Sequence, residues 1–458
     1  MHTRNTAAVA WLGIVVSSAA LIALATLQYG MPTHFYAIMG LGRENVPHFR
    51  KALHVGFLGP IGIPSFLLWF RLLLAVSWCG YLVAVVAAFR TGVPSAKLVL
   101  GIMVVVAALL AFWWPASLSG DAYGYAAFAR MHVLHGLNPY THTPDALRAI
   151  GDPSAPFARF RHTTIYGPVW TLVSVVIVWA LKSAGLWWQV VALKLLAGLS
   201  LVTCALVGRR IAEHFAPGRG DLALLAIGLN PLFLVESPAN GHNDAFMMML
   251  LLIGVWLWLE KRSVLAALVL GLAVGVKFIT APILFWMLLD RVHRKGIVEK
   301  LAKPGGLAIL SVVPLALCYL PFWHGAALFA GASHRWRWGT IWSSASKQAT
   351  PTYWLERYLL HGRIEHIATF LTGPWPILLP AAVLTLWVWL RKANDGWLTA
   401  WVVLAGCLAL FTMGVPFPWY FIWGWMISLL RWNRAHVILS GAYFVLGLVV
   451  TMGYTIPR

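Results

Sequence analysis

The stretch Ser119-Gly-Asp-Ala-Tyr-Gly-Tyr125, followed by His135-Gly-Leu-Asn-Pro-Tyr140, carries the clearest chemistry in the chain. It comes directly after an apolar run that ends at Trp113-Trp114-Pro115, so Asp121 is a carboxylate placed where an apolar helix ends. Only 14 of the 458 residues are acidic and 60% are hydrophobic, so an Asp there needs an account. Ionisable groups near a bilayer are costly and tend to be functional. A carboxylate within reach of a hydroxyl proton is a candidate general base. Its bland alternative is a cap for the helix that follows.

Other polar groups inside or beside apolar runs extend the set. His242, Asn243 and Asp244 stand together at the start of an apolar run and suit either substrate binding, support of Asp121, or helix capping. Glu236, six residues before His242, is a candidate partner for a cation. Lys277, in Lys277-Phe-Ile-Thr-Ala-Pro282, is costly in an apolar setting unless paired, either with a ligand phosphate or with a carboxylate. Arg335 and Arg337 alternate with Trp336 and Trp338, which fits a phosphate grip or an interfacial belt. Tyr123, Tyr125, Tyr140, Tyr166, Trp419 and Tyr420 are candidate substrate contacts, since aromatic faces can hold a sugar ring or a lipid tail. His132 and His135 lack a third ligand at zinc spacing, and no metal site is expected. No His-Glu-x-x-His, no Gly-Lys phosphate loop and no Gly-x-Ser-x-Gly is present, so no cofactor is expected either.

The elements that must position these groups are membrane helices. Charged residues make up 10% of the chain, against about 25% in soluble proteins. Apolar runs of bilayer-spanning length recur along the whole sequence, and the reading is roughly 11 to 14 spans. One membrane domain over residues 1–458 follows, with outer loops at about 115–165 and 323–366. The net charge of +20 lies largely in short basic turns, which set orientation and meet anionic lipid; no nucleic-acid partner is implied. The N-terminal run to Leu27 shows no convincing cleavage site and reads as an uncleaved first span. Cys79, Cys204, Cys318 and Cys407 lie in apolar runs and read as buried, inert thiols.

Counting from Arg4 through the basic turn at Arg90 and Lys97 places Asp121 on the outer side. Ala122–His135 is predicted to be a helix lying flat in the interface. Two regions strain the count. Two full crossings between Val169 and Val207 would leave Arg209 and Arg210 outside, so one of them should be a partial span. A single crossing from Ser263 to Leu289 would have two basic ends, so a break near Lys277 is predicted. Broken helices at membrane depth are tolerated where protein or a cavity surrounds them.

Taken in order, Asp121-Ala-Tyr-Gly-Tyr125, Gly136-Leu-Asn-Pro-Tyr140, Tyr166-Gly-Pro168, Asn230-Pro231 with Glu236, Asn240-Gly-His-Asn-Asp244, the Lys277 segment and Trp419-Tyr420 resemble the glycosyltransferase-C superfamily. Within it the chain is similar to bacterial polyprenol-phosphomannose-dependent alpha-1,6-mannosyltransferases and glycosyltransferase family 87. The resemblance implies an all-α polytopic bundle with outer-face amphipathic loop helices. It also implies a polyprenyl-phosphate-sugar donor, inverting transfer to a glycan or glycolipid hydroxyl, and a base that maps onto Asp121. Mannose is the expected sugar, with arabinose or another hexose as alternatives, and no divalent metal is expected. Residence in the bacterial inner membrane, with the site facing the periplasmic or extracellular side, is implied as well. The large soluble C-terminal domain of longer relatives is absent from this sequence, which leaves the acceptor open. The competing reading is a transporter or flippase of lipid-linked sugars, which two matching broken helices would favour.

Overall fold

The structure, a computed structural model, describes residues 2–30, 61–115, 118–157, 162–292, 297–326, 328, 375–390, 396–411 and 417–452. Among these residues the chain is all-helical, and its one β-type pairing is an isolated bridge between His324 and Ala326. Arg335, Arg337 and the loop that holds them lie outside the described residues.

The first two helices, α1 (His2–Leu27) and α2 (Ile63–Thr91), pack along their length. Gly13 and Gly80 meet at the crossing, where a Cβ on Gly13 would come within 2.5 Å of the Gly80 carbonyl oxygen. Ser17 and Ser77 share a hydrogen bond of 3.1 Å across the same seam. Small residues and buried hydroxyls are what let membrane helices approach closely, because lipid supplies no hydrophobic drive between them.

α3 (Ala96–Trp113) ends just before Asp121, and α4 (Asp121–His135) begins with it. Every residue of α4 from Ala122 to Met131 is buried. An interfacial helix would show one wet face, but α6 (Pro168–Ala180) and α7 (Gly185–Phe215) pack over this one and enclose it. Between α4 and α6 lies the short α5 (Asp145–Ile150).

The strained count between Val169 and Val207 now has a geometric answer. α6 has 13 residues, about 20 Å of helix, too short for a hydrocarbon core of about 30 Å. α7 has 31 residues and is long and apolar enough to cross fully. After it, α8 (Gly220–Gly228) meets α9 (Pro231–Leu234) at a bend. Asn230 causes the restart: its Oδ1 accepts the Leu232 and Phe233 N–H groups, and Pro231 takes the first helical position. α9 runs into a π turn, Val235–Ala239, that contains Glu236 and Pro238. The two arms from Gly220 to Ala239 are inclined by 50°.

α10 (Asp244–Leu259) and α11 (Ser263–Val276) follow, and the helix breaks at Lys277, as its basic ends require. Lys277 has extended backbone (φ −145°, ψ 126°), and a 3-10 turn, Phe278–Thr280, leads into α12 (Ala281–Val292). The chain then contains α13 (Ile297–Tyr319), α14 (Trp375–Leu390), α15 (Gly396–Phe411), a 3-10 turn at Pro418–Tyr420, α16 (Phe421–Ser428) and α17 (Arg434–Met452).

Among the described residues six helices are long and apolar enough to cross a membrane, seven if the bent pair counts as one span, and six shorter apolar helices accompany them. The protein is thus a multi-pass membrane protein in which several apolar runs are shorter than a full crossing. Every residue from Leu222 to Met248 is buried, so the bent pair and the start of α10 form the centre of the bundle. Of the four cysteines only Cys204 is fully buried; Cys79 is exposed on the outward face of α2, a surface that in a membrane helix meets lipid.

Candidate active site

Asp121 is the first residue of α4, and Gly120 before it provides no side-chain cap. The hydroxyl of Ser119 accepts the Asp121 backbone N–H at 3.2 Å. The Asp121 side chain keeps 21% of its exposure, in contrast to the buried residues behind it. Two phenols donate to its Oδ2: Tyr166 at 3.1 Å and Tyr125 at 3.4 Å. Tyr125 reaches it because residues i and i+4 share a helix face. The Tyr125 ring is set edge-on to Tyr166 and to Trp170, at 4.8 Å and 5.1 Å between centroids.

Tyr166 is held by backbone contact. The Gly167 N–H donates to the Val276 carbonyl at 3.1 Å, and a Cβ on Gly167 would overlap the Gly275 carbonyl. The Tyr166-Gly-Pro168 turn therefore sits on the end of α11, directly beside Lys277. Tyr140 braces it from behind: its hydroxyl lies 3.0 Å from the Tyr166 carbonyl oxygen and 3.0 Å from Thr171 Oγ1. Tyr140 thus acts on the Tyr166 segment and not on the carboxylate. Tyr123 points elsewhere, donating to the Pro115 carbonyl at 2.9 Å and stacking on Phe157.

The Asn240-Gly-His-Asn-Asp244 loop presses on the start of α4. Gly241 has φ +75°, a backbone that side chains rarely adopt, and a Cβ there would come within 2.9 Å of Lys194 Cγ and 3.0 Å of Ala122 Cβ. Lys194, fully buried on α7, donates its ammonium to the carbonyls of Leu110 and Trp114 at the end of α3. The Leu110 carbonyl also accepts the Trp114 N–H, while the Trp114 carbonyl lies past the last helical residue, so Lys194 closes the end of the helix that leads to Asp121.

His242 lies beneath the carboxylate. Its Nε2 is 2.9 Å from Ser119 Oγ and 3.8 Å from Asp121 Oδ2. Its Nδ1 is 3.0 Å from Glu236 Oε2 and 3.1 Å from the Glu236 carbonyl oxygen. The imidazole stacks on Trp419 at 4.0 Å. Burial disfavours its charged form, but the Glu236 hydrogen bond and charge, helped by Asp121 and Asp244, outweigh burial and raise its pKa above the ordinary value.

Asp244, fully buried, receives Lys277 Nζ at 2.7 Å and 2.8 Å and the Trp423 indole N–H at 2.5 Å. Lys277 keeps 18% side-chain exposure and lies 5.8 Å from the Trp423 ring centre. Tyr420 packs 4.6 Å from the same ring. Asn243, between His242 and Asp244, is buried with neither amide atom hydrogen-bonded; Ser237 Oγ and Asn240 Oδ1 are in the same condition. Buried polar atoms are nearly always paired, so three such groups around one loop mark a place that expects polar company.

The fold thus brings Asp121, Tyr125, Tyr166, His242, Asn243, Asp244, Lys277 and Trp419 to one end of the bundle. Sequence reading passed over Ser119 and Trp423 as contacts and gave Glu236 only a generic cation partner. It also missed a second network at the far end of α4, where Arg130 and His135 converge on buried Asp152. Among the described residues no group of three His, Cys, Asp or Glu is placed to hold a metal ion.

Comparison with known proteins places this arrangement in context. The chain shares 27% identity over 346 residues with alpha-(1->6)-mannopyranosyltransferase A of Mycobacterium tuberculosis, covering 70% of this chain and 64% of that protein. It shares 28% identity over 179 residues with the protein of the same name from Corynebacterium glutamicum, 37% of this chain and 35% of that one. It also shares 28% identity over 241 residues with undecaprenyl phosphate-alpha-4-amino-4-deoxy-L-arabinose arabinosyl transferase 1 of Pseudomonas fluorescens, 49% of this chain and 41% of that one. The matched region thus spans less than two thirds of each relative's length. No solved structure matches the chain. Residues 10–291 match the family described as alpha-(1->6)-mannopyranosyltransferase, N-terminal domain, a run that includes Asp121, Tyr166, Glu236, His242, Asp244 and Lys277, and the chain belongs to that family.

Proposed function

We propose that this protein is a membrane glycosyltransferase that moves a sugar, mannose, from a polyprenyl-phosphate donor to a hydroxyl of a glycan or glycolipid acceptor on the outer face of the bacterial inner membrane. The observation that carries the reading is the meeting of a partly exposed carboxylate, Asp121, with a partly exposed ammonium, Lys277, through the short Tyr166-Gly-Pro168 turn that touches both segments. Family membership supports the reaction class, the name of the Mycobacterium relative supports mannose, and the name of the Pseudomonas relative supports a sugar carried on a lipid phosphate.

In this reading Asp121 accepts the proton of the acceptor hydroxyl while that oxygen bonds to the anomeric carbon. The bond from that carbon to the phosphate oxygen breaks, and polyprenyl phosphate leaves with the bonding pair. Tyr166 and Tyr125 hold the carboxylate in place. Lys277, released in part from Asp244, stabilises the charge that builds on the leaving phosphate. A single displacement inverts the anomeric centre. Arg335 and Arg337 are candidates for a further phosphate contact, and Tyr420 and Trp419 for the ring or lipid.

Purified protein incubated with labelled polyprenyl-phosphate-mannose and a mannoside should form a glycosidic product. Asp121→Asn should abolish it while leaving the elution profile and thermal unfolding near wild type; full activity in that variant would sink the assignment. One finding favours transport: among the described residues two segments are broken, at Asn230 and at Lys277. Both lie in one stretch of chain instead of in matching positions of two repeated halves, which is what alternating access uses. Donor movement across vesicles without any glycosidic product would decide for transport.

A further inference from the structure

Glu236 and His242 have no part in the transfer step as written above, yet they are among the most expensively placed groups in the molecule. Both side chains are fully buried. The π turn that carries Glu236 is a rare element, and such turns recur at functional sites. Glu236, His242 and Ser119 form a row: carboxylate to Nδ1 at 3.0 Å, then Nε2 to hydroxyl at 2.9 Å. Such a row activates a serine nucleophile in hydrolases. Here Ser119 is only 4% exposed, and its oxygen accepts the Asp121 N–H, so the hydroxyl is a link and not an attacking group.

We propose that Glu236 and His242 are a positioning pair for Asp121. Glu236 fixes the imidazole through Nδ1, and Nε2 holds Ser119 and flanks Asp121 Oδ2 at 3.8 Å. Tyr166 and Tyr125 clamp the same oxygen, and Trp419 closes the other face of the imidazole. The inference rests on Asp121 being the base.

Four elements face His242: Glu236 from the π turn, Ser119 and Asp121 at the start of α4, Asp244 with its Lys277 partner at the start of α10, and Trp419 from the 3-10 turn. A charged imidazole donates at both nitrogens, one to Glu236 and one to Ser119. Loss of the proton at higher pH removes one donor and reverses the Ser119 bond. The pair therefore predicts an alkaline limb in the rate profile that depends on Glu236.

The test uses full-length protein in lipid nanodiscs with labelled polyprenyl-phosphate-mannose and a mannoside. Glu236→Gln should lower kcat roughly tenfold or more, leave donor KM within about threefold, and move the alkaline limb to lower pH. Ser119→Ala keeps the Glu236–His242 pair intact and is expected to fold even if Glu236→Gln does not. It should lower kcat by at least several-fold, and the Ser119→Ala/His242→Gln double variant should be no worse than His242→Gln alone. Wild-type kcat and pH limb in Ser119→Ala would overturn the proposal. So would a Glu236→Gln variant that loses kcat without moving the limb, which is the mark of a purely structural role. Asp121→Asn in the same assay separates the two readings: if it keeps forming product the base assignment fails, whereas an inactive Asp121→Asn beside wild-type Ser119→Ala sinks the positioning pair alone.

Discussion

Lys277 Nζ sits 2.7 Å and 2.8 Å from the two carboxylate oxygens of Asp244, at the one residue where the chain between α11 and α12 leaves helical geometry. The break and the ion pair explain each other. Extended backbone at Lys277 lets its side chain reach the start of α10, and Asp244 gives the ammonium a partner inside the bundle. Removing one member of a buried pair costs about 3–5 kcal/mol, because the other is left uncompensated. Lys277→Met should therefore lower the thermal midpoint sharply and abolish transfer. Lys277→Met/Asp244→Asn should recover most of the midpoint and none of the transfer. Equal midpoints for the single and double variants would refute the pairing argument.

Gly167→Ala should displace Tyr166. The added Cβ would meet the Gly275 carbonyl, which is backbone and cannot swing aside. Overpacking of this kind typically costs about 1–3 kcal/mol. Thermal unfolding and product formation should both fall. An Ala variant with wild-type kcat would mean that the turn can slide without moving the phenol.

Tyr166→Phe separates the hydroxyl from the ring. It removes one hydrogen bond to Asp121, worth about 0.5–1.5 kcal/mol to stability, while keeping the edge contact with Tyr125. The expected result is a small change in unfolding and a larger one, roughly tenfold, in kcat. Unchanged kcat would show that Tyr125 alone suffices to hold the carboxylate.

Asp152 carries a pH dependence unrelated to catalysis. Burial alone would raise its pKa, but hydrogen bonds from Arg130, His135 and Ser154 hold it well below the usual carboxylate range. A depressed folded value means its contribution to stability is complete above the unfolded value of about 3.9 and is lost as pH falls below that. The thermal midpoint should drop as pH is lowered from about 5 to 2.5. Asp152→Asn should start lower, since Arg130 loses its charged partner and keeps Gln189, and should show a shallower acid slope. Parallel slopes for the two proteins would exclude Asp152 as the source.

Much of the geometry of this candidate site is legible in the sequence. Asp121 was found from its place at the end of an apolar run, and the break at Lys277 from the basic residues at both ends of one hydrophobic segment. Tyr123 and Tyr125 are both expected as substrate contacts, but the four-residue spacing turns Tyr125 onto Asp121, whereas Tyr123 on the same helix faces Pro115 and Phe157. The grip of Glu236 on His242 was not legible. It depends on a π turn, which shifts the register of one residue in a way no 3.6-residue periodicity reports. Nor was the role of Tyr140, whose hydroxyl meets a backbone carbonyl brought close only by tertiary packing. The enclosure of α4 escaped for a similar reason: its Ala-rich sequence is compatible with an interface or an interior, and only α6 and α7 decide which.

That enclosure has a consequence for how the protein can be tuned. With α4 walled in by neighbouring helices, annular lipid has no direct hold on the segment that bears Asp121. Bilayer thickness and headgroup charge should therefore govern how readily the proposed lipid-linked donor docks, and leave the intrinsic reactivity of the acid untouched.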